Sequence, residues 1–585
     1  MNSLIIIKEF AKIRLFSIGK YNVKRFLSDM NYPSNVNRLR LINSILFSNY
    51  SQEFDNTNNY KLTLNSDYRS LFEKLTNYKE YKVVNLSNSP LKIIRKYYSD
   101  IFKVFIPREF NGYGANYSNL AFLIENLRTN LSASYSLIVN NLLCAQAIIK
   151  YGSESIKCKY LPIIASGESI GSFCLNETSS GNHICMMTST GEYSPETKLL
   201  KLSARKHWIY NADSMDFCII FVKTKLNNGT DSLSAFLIDK PLDSAIKIQP
   251  SKNNLNISNV FNVEFEYATI PAELLGNIGD GFKIANDIQN SARFSIAAAC
   301  LGISKAAIQE LSLRNDFSSS YTNNRIVDWS SKLFGVETGL YFTANVLNNH
   351  PNSDLGVENA SLKVHAVELA YEIIHGCLEI SRKYDNVDFY VDLLRKIRGL
   401  DFFLGQSDVL RLYIGGVILQ DFCRENSETI YKNIHKYERK LSEENYYNLF
   451  PPKFKKSWLK SQDKVLNSLM GTMRSCIFQA TSNSLFNTPN QDFFIARLAK
   501  SMVLTYHITC VINRYKHMSK SELTNEDIRI IEACLNDLRK RIDSTIREGT
   551  DSIYTPFNNT KYEFMAELVF RSQVHGIEPA ITRNW

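Results

Sequence analysis

Phe217-Cys-Ile-Ile-Phe-Val222, Leu233-Ser-Ala-Phe-Leu-Ile-Asp239 and Val260-Phe-Asn-Val-Glu-Phe-Glu266 are the runs that decide the fold. Each is short, rich in β-branched and aromatic residues, and bounded by Asn, Gly or Pro, which is the pattern of a strand. They make residues 171–275 a compact antiparallel β domain. On either side the period lengthens. Leu120, Leu123, Ile124 and Leu127 recur three and four apart, and Ala145-Gln-Ala-Ile-Ile-Lys-Tyr151 continues in the same manner. Pro107-Arg-Glu-Phe-Asn-Gly-Tyr-Gly114 is a turn-rich break between helices. The fold class is therefore mainly α with a β middle domain. Residues 65–170 form an N-terminal helical domain, 276–422 a helical bundle, and 423–585 a further helical region at the C-terminus.

A chain of 585 residues has room for several cores, and 44% hydrophobic with 22% charged residues describes an ordinary globular protein. The eleven cysteines are odd in number and never spaced C-x-x-C. That pattern points to free thiols in a reducing compartment, and away from a disulfide framework or a metal site. No run reaches the ~18 consecutive apolar residues of a membrane-spanning helix.

Residues 1–30 differ from the rest. Through Leu27, Lys8, Lys12, Arg14, Lys20, Lys24 and Arg25 stand against the single acid Glu9, with Leu4, Ile5, Ile6, Phe10, Leu15, Phe16 and Phe26 between them. Interleaved basic and apolar residues with few acids read as a mitochondrial transit peptide, with a disordered basic tail as the alternative, and residues 31–64, polar and Asn/Ser-rich, as a flexible arm. Part of the +10 net charge belongs to this leader. With no zinc-finger, RNP or helix-turn-helix pattern beside it, the charge does not indicate a nucleic-acid partner.

Several segments carry site chemistry. They are Phe173-Cys-Leu-Asn-Glu-Thr-Ser-Ser-Gly181, Lys201-Leu-Ser-Ala-Arg-Lys-His-Trp-Ile-Tyr-Asn211, Leu275-Gly-Asn-Ile-Gly-Asp-Gly-Phe-Lys-Ile-Ala285, Asn290-Ser-Ala-Arg-Phe-Ser-Ile-Ala-Ala-Ala299, Arg314-Asn-Asp-Phe317 and Phe403-Leu-Gly-Gln-Ser-Asp-Val-Leu-Arg-Leu412. Gly276, Gly279 and Gly281 do not follow G-x-G-x-x-G spacing between a strand and a helix, so they make a poor phosphate loop. In this order the segments resemble the acyl-CoA dehydrogenase family. The long helical C-terminus is similar to its very-long-chain and family-member-9 branch.

The resemblance implies the acyl-CoA dehydrogenase fold: α-helical domain, antiparallel β domain, four-helix-bundle-like domain, and here an appended helical domain. It also implies FAD, a long-chain acyl-CoA substrate, α,β-dehydrogenation in fatty acid β-oxidation, and a homodimer. By the same resemblance Phe173, Leu175, Asn176, Gly181, Trp208, Tyr210, Arg314, Phe317, Gln406 and Asp408 match cofactor-binding positions, and Asn182 and Arg293 substrate-binding positions. The motifs also depart from the family. Leu404 occupies the position of the glutamate base, and Ala292 the alternative base position on the preceding helix. Tyr210 replaces a small hydroxyl residue that reaches flavin N5, and Arg382-Lys383 replace two glycines that cradle the adenosine diphosphate half.

A leucine cannot accept a proton, and losing a positioned base costs about 10²–10⁴-fold. Two readings remain open. In one the chain is a non-catalytic member retained as a mitochondrial assembly or scaffold protein, with respiratory complex I assembly as the role its branch suggests. In the other it is a divergent, active long-chain dehydrogenase with an unrecognised base. Pro451-Pro-Lys-Phe-Lys-Lys-Ser-Trp-Leu-Lys460 sets lysines beside aromatics, either as a contact with the inner mitochondrial membrane or as a solvated loop.

Overall fold

The computed structural model describes residues 100–127, 131–181, 184–226, 229–239, 246–251, 260–314, 319–350, 353–381, 387–425, 491–517 and 525–554, together with a two-residue strand pair at 17–18 and 21–22. The rest of the leader and the arm, Asn182, Phe317, Arg382-Lys383 and residues 451–460 lie outside the described residues.

The chain enters through α1 (Asp100–Lys103) and α2 (Tyr117–Asn126). Asn116 caps α2 by accepting the N–H of Asn119 at 2.9 Å, and Leu120, Leu123 and Ile124 are buried as their spacing requires. α3 (Leu131–Leu137) continues through a π-helical segment, Ile138–Ala145, into α4 (Gln146–Tyr151), and α5 (Glu154–Ala165) follows. Two asparagines in the π segment are fully buried and tie it to its neighbours. Asn140 Oδ1 accepts the N–H of Gly171 at 2.8 Å, and Asn141 Nδ2 donates to the Phe102 carbonyl at 2.9 Å. A π segment of this kind commonly sits beside a functional site.

Apart from the pair at 17–18 and 21–22, the strands among the described residues are β1 (Gly171–Cys174), β2 (Thr190–Ser194), β3 (Leu199–Tyr210), β4 (Phe217–Lys225), β5 (Asp231–Asp239), β6 (Ile246–Pro250), β7 (Val260–Pro271) and β8 (Glu273–Leu275). They form one sheet in the order β8-β5-β4-β2-β3-β7-β6, with β1 added on β4. The sheet is mainly antiparallel, as the sequence suggested, with a correction. β1 runs parallel to β4, and β2 meets β4 in parallel at Thr190 and Lys223. Side-chain alternation reports which face is buried and carries nothing about strand direction, which the connections set.

β4 explains how the sheet joins the helices. Its run Phe217–Val222 is apolar without alternation because both faces are covered. Phe217, Ile219 and Phe221 belong to the main core shared with the helices, while Cys218, Ile220 and Val222 fill a second core inside the β domain.

The bundle consists of α6 (Gly281–Arg314), α7 (Ser320–Asn349), α8 (Gly356–Ser381) and a fourth arm broken at 403–406 into α9 (Val387–Phe402) and α10 (Ser407–Glu425). Gly281 starts α6 directly against β5. A Cβ there would lie 2.6 Å from the Leu233 carbonyl carbon, so only glycine permits the approach. α11 (Gln491–His517) packs on α10, α7 and α8, and α12 (Asn525–Tyr554) on α11 and α7. Gly281–Leu313, Val387–Asp421 and Ile495–Arg514 are long and apolar enough to cross a membrane by length and composition, and 56–83% of each apolar window is buried within the protein. The eight cysteines among the described residues whose pairing is defined are free thiols.

α8 and α11 bring His365 and His507 together, with their rings 4.2 Å apart and edge-on. His507 Nδ1 lies 2.7 Å from the Val503 carbonyl and so carries the proton, while His365 Nε2 accepts from Arg541 Nη1 at 3.3 Å. Burial keeps both rings neutral. It pulls His507 down to about 4 and His365 well below the usual histidine value. The unfolded chain titrates these groups near pH ~6.5, so it binds protons that the folded chain refuses as pH falls from there. Thermal unfolding should therefore show full stability above about pH 6.5 and a loss approaching about 3 kcal/mol from His507 as pH falls to about 4. A His365→Leu/His507→Leu variant should lose that part of the slope. An identical slope in the variant would contradict the assignment.

Candidate functional site

The β-domain side of the site is built on a buried ion pair. β3 directs Lys206 inward, and its ammonium donates to Glu177 Oε1 at 2.8 Å and to the carbonyls of Phe221 at 2.7 Å and Leu175 at 3.3 Å. Glu177 also accepts the backbone N–H and the hydroxyl of Thr188, at 2.7 and 2.9 Å. Burial alone would raise the Glu177 pKa, but Lys206 overrides it and holds the carboxyl at about 2. Burial in turn lowers the pKa of Lys206. The pair fixes the Leu175–Gly181 turn, and removing one partner of such a pair costs about 3–5 kcal/mol.

The next residues of β3 depart from regular pairing. The His207 N–H donates to the Asn176 carbonyl at 2.9 Å, and the register against β7 slips between Lys206 and Ile209. The extra residue re-aims the strand. Trp208 takes a φ of +58°, stays 41% exposed, and meets Phe402 edge-on at 5.8 Å. Tyr210 returns to the interior. Its ring stacks on Tyr135 at 4.8 Å and 21°, and lies 4.8 Å from Phe403, while Tyr135 meets Phe403 at 5.4 Å. Aromatic pairs contribute about 0.5–1.5 kcal/mol each beyond burial, so this triad joins β3, α3 and the α9–α10 break with substantial energy.

The break itself is held from behind by Lys363 of α8, which is completely buried. Its Nζ donates to the carbonyl of Asp401 at 3.0 Å and to those of Phe403 and Gly405. Burial, followed by the nearby Arg293 guanidinium, pulls its pKa down to about 7. Three acceptors nevertheless match the three protons of an ammonium, whereas a neutral amine has only two, so the charged form is the one this geometry holds. Asp401 Oδ1 accepts the N–H and hydroxyl of Ser407 at 3.2 and 2.5 Å, closing the turn. Leu404 and Gly405 then reverse the chain with φ of +59° and +97°. Such a backbone costs a leucine about 1–3 kcal/mol and persists only where its surroundings impose it.

Between these two structures lies a cavity of about 300 Å³. Phe173, Leu175, Asn176, Gly181, Trp208, Tyr210, Arg293 and Leu404 line it, so eight of the residues singled out from the sequence converge. Arg293 is buried, donates from Nε to the Leu404 carbonyl at 3.0 Å and from Nη1 to Asn290 Oδ1, and lies over the Tyr413 ring. Ala292 does not line the cavity and is fully buried on α6. Gln406 and Asp408 are not among the lining residues, and Asp408 pairs with Arg411 on the exterior. The side chain of Arg314, with Phe317 and Asn182, lies outside the described residues.

Sequence reasoning missed Glu177, His207, Asn286, Gln289, Phe402 and Tyr413 as cavity residues, and Tyr135 and Lys363 as their supports. A lone lysine within the apolar helix stretch Leu362-Lys363-Val364 was the available signal for the last. Glu177 is the only carboxylate among the lining residues, and its lone pairs are committed to Lys206 and Thr188. Asp401 is turned to Ser407 and is not among them.

The family model described as "Acyl-CoA dehydrogenase, N-terminal domain" matches residues 82–168. The chain is 30% identical over 336 residues to the mitochondrial very long-chain specific acyl-CoA dehydrogenase of Rattus norvegicus, a match covering 54% of this chain and 50% of that protein. It is 28% identical to the mitochondrial short-chain specific enzyme of Sus scrofa, over 54% of this chain and 79% of that protein. The chain spans about half the length of the very long-chain relatives that it matches. An acyl-CoA dehydrogenase complexed with FAD from Bacillus anthracis has the same fold, with a TM-score of 0.72 at 17% identity over 87% of this chain and 92% of that one.

Lys363→Met keeps the aliphatic stem and leaves three carbonyls without their donor. Denaturant unfolding should show a loss of about 3 kcal/mol or more. A change below about 1 kcal/mol would mean that the turn holds itself.

Proposed function

The chain belongs to the acyl-CoA dehydrogenase family, and from that premise we propose that it binds fatty acyl-CoA without dehydrogenating it. Its role is then that of a mitochondrial assembly or scaffold protein, with respiratory complex I as the assembly its branch suggests. The inherited reaction, FAD-dependent α,β-dehydrogenation in fatty acid β-oxidation, requires a base at the substrate's α-carbon. The observation that carries the proposal is Leu404: a hydrocarbon side chain lines the cavity where the motif otherwise supplies a carboxylate. Ala292 offers only a buried methyl, and Glu177, held at about 2 by Lys206, is a weak base. An α-proton of a thioester is weakly acidic, so the loss should lie at the upper end of the ~10²–10⁴-fold typical of general-base removal, or beyond.

The remaining lining suits binding. Leu143, Phe282, Leu404 and Leu410 supply apolar surface for an acyl chain, and Asn286, Gln289 and Arg293 supply polar groups for a carbonyl or headgroup. The basic, apolar leader and the mitochondrial relatives support the compartment, and the family's shared site supports a homodimer. One observation favours the second reading, a divergent active dehydrogenase: His207 lines the cavity, and an imidazole can accept a proton.

Mixing the full chain with palmitoyl-CoA, FAD and an electron-accepting dye separates the two. The proposal expects saturable binding by calorimetry and no dye reduction above the protein-free rate. Steady reduction that is abolished in His207→Gln would replace the scaffold reading with the enzyme.

A further inference from the structure

We infer that Tyr210, Tyr135 and Phe403 close the space that a flavin ring would need, so that this cavity takes an acyl thioester with no flavin beside it. The ligand half of the inference rests on the acyl-CoA-binding reading; the exclusion of flavin stands on the rings alone. Tyr210 occupies the position at which the resemblance puts a small hydroxyl residue against the flavin. Its ring centroid lies 4.8 Å from both Tyr135 and Phe403. A planar ring inserted between two others requires about 7 Å, twice the ~3.5 Å carbon–carbon contact distance. Admitting one between Tyr210 and the α9–α10 turn would therefore part rings that now touch.

The backbones beneath the rings are fixed, which makes the triad a plug in place of a movable gate. The Tyr210 carbonyl accepts the Ser172 hydroxyl at 2.9 Å. The next residue, Asn211, accepts through Oδ1 from Ser136 at 3.1 Å, tying the end of β3 to α3 beside Tyr135. The Phe403 carbonyl is held by Lys363. Tyr135 and Tyr210 are 6% and 8% exposed, so both rings are packed within the core. What remains open is about 300 Å³, at the small end of ligand cavities and suited to part of an acyl chain with its thioester.

The test uses the full chain purified from cells supplied with riboflavin, with Tyr210→Ser and Tyr210→Phe alongside. Bound flavin is read by visible absorbance, FAD affinity by quenching of flavin fluorescence, and folding by circular dichroism. The wild type and Tyr210→Phe should be colourless, whereas Tyr210→Ser should gain FAD affinity of about tenfold or more, as expected from releasing two aromatic contacts. A wild type that carries stoichiometric flavin overturns the inference. So does a folded Tyr210→Ser that binds FAD no better than its parent. If Tyr210→Ser does not fold, FAD titration of the wild type decides alone: saturable binding overturns the inference, and none sustains it. Calorimetric titration of the flavin-free protein with palmitoyl-CoA is read separately. Absence of binding there would overturn the acyl-CoA-binding reading and leave flavin exclusion standing.

Discussion

A buried ammonium under a broken helix is the constraint on which the site depends. Lys363 reaches from α8 to the carbonyls of Asp401, Phe403 and Gly405. Those bonds hold a backbone that a leucine does not adopt by preference, with φ of +59° at Leu404. They also settle what faces the cavity. Phe403 is aimed at Tyr210 and Tyr135, Leu404 at the cavity, and Asp401 back at Ser407. The side chains that the turn presents to the cavity, Phe402, Phe403 and Leu404, are hydrocarbon.

The opposite wall is likewise held by a buried lysine, which donates to a carboxylate and to carbonyls. Lys206 and Glu177 are buried together, and the pair anchors the turn from which Leu175, Asn176 and Gly181 reach the cavity. Of the six described non-glycine residues with positive φ, Trp208 and Leu404 both line this cavity, one from each wall. Backbone strain gathers where surrounding structure over-determines it, and buried lysines supply that surrounding on both sides.

The change of period at Gly171 and again near Gly276 made the order of helical, β and helical regions readable, because burial of one face or both leaves a direct imprint on side-chain pattern. Eight of the site residues were readable from local motifs, since each motif occupies a continuous stretch that reaches the cavity from one element. Interactions between distant segments were not. Glu177 and Lys206 are 29 residues apart, Lys363 and the turn it holds about 40, and Tyr135 and Tyr210 are joined only by folding. The parallel pairing of β1 with β4 was hidden for the same reason: direction is a property of connections, not of composition. Asp408 shows the converse. Its motif position marked it for the site, yet it begins α10 on the outside and pairs with Arg411.

The central claim is that nothing in this cavity removes the α-proton of a bound acyl thioester. It is tested most directly by incubating the purified chain with palmitoyl-CoA in deuterium oxide and following deuterium at the α-carbon by mass spectrometry. This readout needs no flavin and no electron acceptor. The account predicts exchange no faster than that of palmitoyl-CoA alone. Protein-dependent accumulation of deuterium at the α-carbon would contradict it, because it would require a working base beside Leu404.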